Sequence, residues 1–311
     1  MLDSAVAKYR LLDFVELLFG FSALGALGLG IYELAQASGY STLGYWVVVL
    51  SGVLLATLLK LFKLRKVAEM RLKVFSKWFH AFTDTLRNGY YHLMRLDGGG
   101  DLTAAMVVEA ARETCQTAVD LVSTLLSEST DETVCVSIKY FPPQPDGTPG
   151  PEAPDDHVLA TLVRSRNSDP ARVGHNLMRV GDNTGFRLLV TYQYNQIWAE
   201  NLESMGEEMK REGLGPFLTT NPNWRSFYRS FITVPIRINR TLLRAERAGV
   251  GYHILGLLCA DTLSTSAWRG DELPAYSNLL KAFADALYIY LEKVDYSLTK
   301  LSRSEGQTPN A

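Results

Sequence analysis

The sequence predicts an α+β chain behind an N-terminal two-helix transmembrane hairpin, and three observations carry that reading. Between Leu17 and Lys60 the only charged residue is Glu33. From Leu61 to Leu93 apolar residues recur at helical spacing. Beyond Gly98, helical periods are interleaved with β-branched runs, the pattern of a sheet flanked by helices. The organisation that follows is a hairpin over 1–63, a connecting helix over 64–97, a cytosolic domain over 98–296 and a polar tail over 297–311 with nothing to bury, predicted to be disordered.

The two apolar segments, 14–34 and 42–62, each approach the ~20 residues a helix needs to cross the hydrocarbon layer. Lys60, Lys63, Arg65, Lys66, Arg71 and Lys73 face the single acid Glu69 after the second segment, which holds that end in the cytoplasm. The uncharged turn 35–42 crosses easily, and Lys8 and Arg10 keep the N-terminus on the cytoplasmic side. The expected location is therefore the inner membrane, with two passes and both termini cytoplasmic. Asp13 and Glu16 precede the first apolar run and a second run follows it, unlike a cleavable signal peptide. Ser22, Ala26 and Gly30 recur every four residues and form a small-residue face for close helix packing, either within the hairpin or between copies.

The connecting helix carries the stripe Leu61, Leu64, Ala68, Leu72, Phe75, Phe79, Phe82, Leu86, Leu93. Pairing with the same stripe of a second copy is the favoured use, with docking on the following domain or on lipid as alternatives. Asp97-Gly98-Gly99-Gly100-Asp101 ends it, because glycine is costly in a helix interior. Then come a helix over 102–128, a strand over 133–140, a proline-rich loop over 142–156 and a strand over 157–165. A helix over 192–212, strands over 230–238 and 251–260, and a helix over 272–295 complete the domain. Pro235 confines its strand to an edge or a bulge.

Several classes are excluded. Thirty-one basic against thirty-three acidic residues leave a net charge of −2, without the basic excess that nucleic-acid partners call for. Cys115, Cys135 and Cys259 include no CxxC, so neither a disulfide framework nor a zinc site is predicted. The histidines form no HxxxH or HExxH, and Gly98-Gly99-Gly100 lacks the Gly-Lys-Ser/Thr that would make a phosphate loop. No catalytic set, metal or cofactor is expected, and the chain reads as a non-enzyme.

Ser230-Phe231-Ile232-Thr233-Val234-Pro235-Ile236-Arg237, then Ile254-Leu255-Gly256-Leu257-Leu258-Cys259-Ala260-Asp261 and a final helix, resemble the closing half of a GAF domain. Upstream, Gly181-Asp182-Asn183-Thr184-Gly185-Phe186 and the run from Trp224 to Ser230 fit the same resemblance, which covers Leu102 to Tyr296. It implies an antiparallel sheet with one face holding a small ligand. Behind the other face it implies first and last helices that build a parallel dimer bundle. The NKxnFx3DE pattern of cyclic-nucleotide-binding GAF domains is absent, and no chromophore cysteine is evident.

The candidate ligand-binding residues are Arg164, Arg166, Asn183, Asn223, Trp224, Arg225, Tyr228 and Asp261. Aromatic rings stack a base and arginine forks grip phosphate, which makes a nucleotide the favoured ligand. The plainer alternative is that Trp224 and Tyr228 close the core edge while the arginines stay solvated. The expected function is that of a membrane-anchored, homo-oligomeric sensor and effector whose small ligand, such as a cyclic nucleotide, alters the hairpin. This architecture is similar to bacterial anti-phage systems that pair nucleotide-sensing domains with short transmembrane hairpins. The alternative is a non-enzymatic membrane scaffold that uses the domain for dimerisation or protein docking.

Overall fold

The computed structural model describes residues 41–99, 102–142, 154–174, 177–212, 216–219, 223–239, 252–265, 267–268 and 272–305. The apolar segment 14–34, with Ser22, Ala26 and Gly30, lies outside them. The segment 42–62 falls on α1 (Ser41–Gly98), whose side chains before Leu54 also lie outside the description. Among the described residues no helix is long and apolar enough to cross a membrane. The chain divides into two compact units between Ser76 and Lys77, so the last turns of α1 belong to the body rather than to a separate connector.

In the body α2 (Ala104–Thr130) begins at Thr103, whose hydroxyl accepts from Met106 N at 3.3 Å and satisfies one of the first-turn donors. The strands are β1 (Cys135–Tyr140), β2 (Val158–Arg164), β3 (Leu177–Arg179), β4 (Ile197–Ala199), β5 (Ser230–Asn239) and β6 (Tyr252–Thr262). Helices α3 (Thr184–Val190) and α4 (Leu202–Arg211) precede β5, and α5 (Leu273–Glu305) closes the chain. All strand pairs are antiparallel, in the order β3-β2-β1-β6-β5-β4.

The period of two along each strand sorts the side chains onto two faces. Val136, Ile138 and Tyr140 of β1 align through the register with Ala260, Leu258 and Gly256 of β6, and these with Ile232, Val234 and Ile236 of β5. This face packs under α2 and α5, and the Tyr140 hydroxyl donates to Asp295 of α5 at 3.3 Å. The α2 positions that cover it, Val107, Ala111, Cys115, Ala118, Val122 and Leu126, repeat at three- and four-residue intervals and are all buried. Ser137 and Lys139 point the other way, toward a second core built from Leu159, Phe186, Leu189, Ile197, Phe231 and their neighbours.

Gly256 shows how tightly the sheet is drawn together. A Cβ there would lie 2.1 Å from the Lys139 carbonyl oxygen, a backbone atom that cannot step aside. We expect Gly256→Ala to lower stability by about 1–3 kcal/mol, read as a lower urea midpoint with an unchanged slope. An unchanged midpoint would mean the central strands can spread at no cost.

Three features depart from the sequence-based expectations, and a fourth, Pro235 beside a bulge, agrees with them. The distal part of the helical stripe is docked on the body. Phe82, Leu86 and Leu93 are buried, the Phe82 ring sits 4.5 Å from that of Phe283 on α5, and Gly89 abuts Thr114 of α2. That segment is satisfied within its own chain rather than left for a second copy. The helix expected over 192–212 starts only at Leu202, because Asn201 caps it by accepting from Glu203 N at 3.0 Å and Ser204 N at 3.4 Å. Ile197–Ala199 is instead an edge strand on β5. The last helix continues past 295 to Glu305, where a disordered tail was expected. Ser297 is buried there, and Asp97 at the end of α1 receives Lys293 at 3.1 Å and Lys300 at 2.8 Å, hydrogen bonds that hold its carboxyl below the usual range. Pro235 lies in an interior strand, but past Thr233, where β4 stops pairing, and beside a bulge at Ile236/Arg237. Its missing N–H therefore costs no ladder bond to β4.

Candidate functional site

The face of the sheet turned away from α2 and α5 forms the floor of a cavity with about 90 Å³ of free volume. The register fixes its floor. Ser137 lies between Cys259 and Arg164, and Cys259 lies in turn beside Thr233. One step along, Lys139 is flanked by Thr161 and Leu257. Asp261 sits at the end of β6, opposite Phe231. Met178, Phe186, Phe217 and Tyr228 supply the walls.

Charge is concentrated on this floor. Arg172, on a short 3-10 turn over Pro170–Gly174, donates to both carboxylate oxygens of Asp261 at 2.8 and 2.9 Å. Both side chains are nine-tenths covered, so the pair is buried, bidentate and charge-compensated. Burial disfavours the Arg172 cation, yet the facing carboxylate holds its pKa above the ordinary value. The guanidinium also lies 5.6 Å from the Tyr228 ring, and the Tyr228 hydroxyl shares a hydrogen bond with Thr219 Oγ1 at 3.0 Å. Burial pushes that phenol upward.

Lys139 is 5% exposed, and its ammonium donates to Thr161 Oγ1 at 2.6 Å. Burial, reinforced by the Arg164 cation, pushes it from 10.5 down to about 7. Arg164 Nη2 reaches the same hydroxyl at 3.5 Å, and its buried Nε has no hydrogen-bond partner. Desolvation likewise lowers the Arg164 pKa. Two cations thus converge on one neutral oxygen.

Of the eight residues singled out from the sequence, Arg164, Asn183, Tyr228 and Asp261 line this cavity. Asn183 does so while capping α3, its Oδ1 accepting from Phe186 N at 3.1 Å. The other four lie outside the lining. Arg166, past the end of β2, is exposed and pairs with Asp120 at 3.4 Å. Arg225 pairs with Glu203 at 2.8 Å and lies over the Trp224 ring at 4.8 Å, so that aromatic and that cation meet each other rather than a common pocket. Trp224 packs against the second core with its ring 6.0 Å from Tyr228. Asn223, which opens the 3-10 turn over Trp224–Ser226, is exposed.

Lys139, Thr161 and Arg172 were not singled out from the sequence. The signal for Lys139 is its alternation with Ile138 and Tyr140 in a run that turns out to be central. Arg172 carries no local signal, because its partner is 89 residues away. Among the described residues no group of three or more His, Cys, Asp or Glu side chains is placed to hold a metal ion. Cys115 and Cys259 are buried free thiols, and burial raises both, Cys115 to about 12.

No protein-family model matches the chain, and no curated protein does. Solved structures do. The GAF domain of an Acinetobacter phosphoenolpyruvate-protein phosphotransferase is 13% identical over 73% of this chain and 95% of its own, with a TM-score of 0.33. A type II free methionine-R-sulfoxide reductase from Thermoplasma acidophilum is 13% identical over 58% of this chain and 96% of its own, with a TM-score of 0.35. The cyanobacteriochrome TePixJ GAF domain is 15% identical over 58% and 91%, with a TM-score of 0.32. None of these lends this chain a ligand or a reaction. Its α+β body is an antiparallel sheet with the first and last helices on one face and a cavity on the other, the arrangement that the resemblance of its closing strands implies.

Proposed function

We propose that this chain is a membrane-anchored, ligand-responsive sensor that acts by binding rather than by turnover. The observation that carries the reading is the cavity floor, where buried Lys139, half-buried Arg164 and the buried Arg172–Asp261 pair border free space. Charge withdrawn from water adds little to stability by itself, so four such groups around a cavity favour a binding role. The size bears on the ligand. Pockets for drug-sized ligands run from roughly 300 Å³ upward, and about 90 Å³ favours a molecule smaller than the nucleotide expected from Trp224 and Arg225.

Membrane anchoring rests on the nearly charge-free stretch from Leu17 to Lys60 and the basic cluster after it. The route from cavity to membrane is α1. Its last turns pack on α2 and α5, so a ligand that reshapes the sheet acts on the same helix that leads to the apolar segment. The test is native mass spectrometry of the full chain released from detergent, together with topology reporters. A retained small molecule, a cytoplasmic reporter after Thr299 and an externally facing one at Ser38 are expected. An empty domain under all conditions would favour the scaffold reading. Protease access to the body in intact cells would overturn the topology.

A further inference from the structure

The cavity carries an excess of positive charge that the protein leaves uncompensated. Arg172 and Asp261 neutralise each other through two hydrogen bonds, which removes the floor's acid from play. Lys139 and Arg164 remain. Both reach Thr161 Oγ1, at 2.6 and 3.5 Å, and neither hydrogen-bonds or ion-pairs with a carboxylate among the described residues. Arg164 Nε is covered and unpartnered, although a buried donor is ordinarily paired. Two like charges held this close in a poorly solvated site are costly unless an anion joins them. The rings of Phe186 and Phe217 line the same space, so its lining is both cationic and apolar.

We propose that the cavity binds a short-chain carboxylic acid, with its carboxylate seated between Lys139 and Arg164 and its apolar end against Phe186 and Phe217. The inference rests on reading the cavity as a ligand site. A carboxylate is preferred to a phosphate because its two oxygens match one ammonium and one guanidinium edge. The free volume of about 90 Å³ holds a few carbon atoms beyond the carboxylate and excludes a long acyl chain.

Proton linkage gives the proposal a separate signature. The charged and titratable groups facing the Lys139 ammonium are Arg164 on β2, Arg172 on its 3-10 turn, and Cys259 and Asp261 on β6. The two arginines and burial push its pKa down, Cys259 and Asp261 oppose them, and the balance lies near 7. A carboxylate bound beside it favours the charged amine. Binding slightly above neutral pH therefore takes up a proton.

The experiment is calorimetric titration of the full chain in detergent with butyrate, butyramide, inorganic phosphate and 3′,5′-cyclic AMP. Butyrate should bind saturably and butyramide should not. Lys139→Met and Arg164→Met should each weaken butyrate at least about tenfold, the usual consequence of losing one charge-assisted hydrogen bond. Both remove a desolvated charge and keep an unbranched stem, so both should fold, as checked by circular dichroism. Repeating the titration in buffers of different ionisation enthalpy should show proton uptake in the native protein and none in Lys139→Met. Equal binding of butyrate and butyramide, or undiminished affinity in both variants, overturns the carboxylate assignment while leaving the cavity a ligand site. Tighter binding of phosphate or cyclic AMP overturns it in favour of that ligand. No binding of any probe, with no molecule retained in native mass spectrometry, overturns both readings together.

Discussion

Replacing Arg172 with methionine should destabilise the body by about 3–5 kcal/mol, the cost of leaving a buried carboxylate without its counter-ion. Arg172 and Asp261 are each 9% exposed at the side chain. The carboxylate left behind has few other donors to turn to, since both its oxygens are engaged by this guanidinium. The cost comes less from the strength of the pair than from the orphan it leaves. It follows that Arg172→Met combined with Asp261→Leu should recover most of the loss, because two apolar groups of similar volume leave no buried charge at all. A double-mutant cycle by urea unfolding measures both numbers. A single-variant cost under about 1 kcal/mol would mean that water reaches Asp261 and that the pair does not fix the cavity floor.

The pair also sets the character of the site. Arg172 lies 5.9 Å from the Phe227 ring and 5.6 Å from that of Tyr228, so it braces these two rings while engaging the floor carboxylate of Asp261. With Asp261 engaged by Arg172 through both oxygens, Lys139 and Arg164 keep their charge toward the free space. The preference proposed for a small anion follows from those two cations.

Long elements of the body were legible in the sequence because their periods run for many residues. The α2 stripe from Val107 to Leu126 is helical in period and buried throughout. The β5 and β6 runs pair over nearly their whole length. The three-residue strands β3 and β4 and the seven-residue α3 are too short to show a period, and they form because longer neighbours offer them an edge or a groove. The site was legible only in part. Tyr228 and Asp261 stand next to recognisable strands, but Arg172 has meaning only through Asp261, and nothing local announces it. Trp224 and Arg225 carried the chemistry of a nucleotide pocket in their residue types. Their side chains satisfy each other and Glu203 instead, which residue type alone does not reveal.

Lys139 yields the other large effect, and its sign follows from where its pKa has moved. Lysine is an ordinary surface residue in an edge strand, but β1 lies between β2 and β6, and its inner face receives Ser137 and Lys139. In the unfolded chain the amine titrates near 10.5, and in the folded protein burial and the Arg164 cation lower it to about 7. Between those values the unfolded state holds a proton that the folded state lacks. Stability therefore rises with pH across this window, by up to about 1.4 kcal/mol per unit. Below about pH 7 both states are protonated, and the full penalty of burying the cation is present. Lys139→Met removes the titration. The variant should be more stable than the native protein by roughly 4 kcal/mol at neutral pH, an advantage that shrinks through the alkaline range and vanishes as the unfolded lysine loses its own proton. Urea unfolding of both proteins from neutral to about pH 10 reads the difference directly, since all other titrations are shared. Parallel curves across that range would show that the Lys139 amine stays charged and solvated. A variant less stable than the native protein at neutral pH would show that the Thr161 hydrogen bond outweighs the cost of burial.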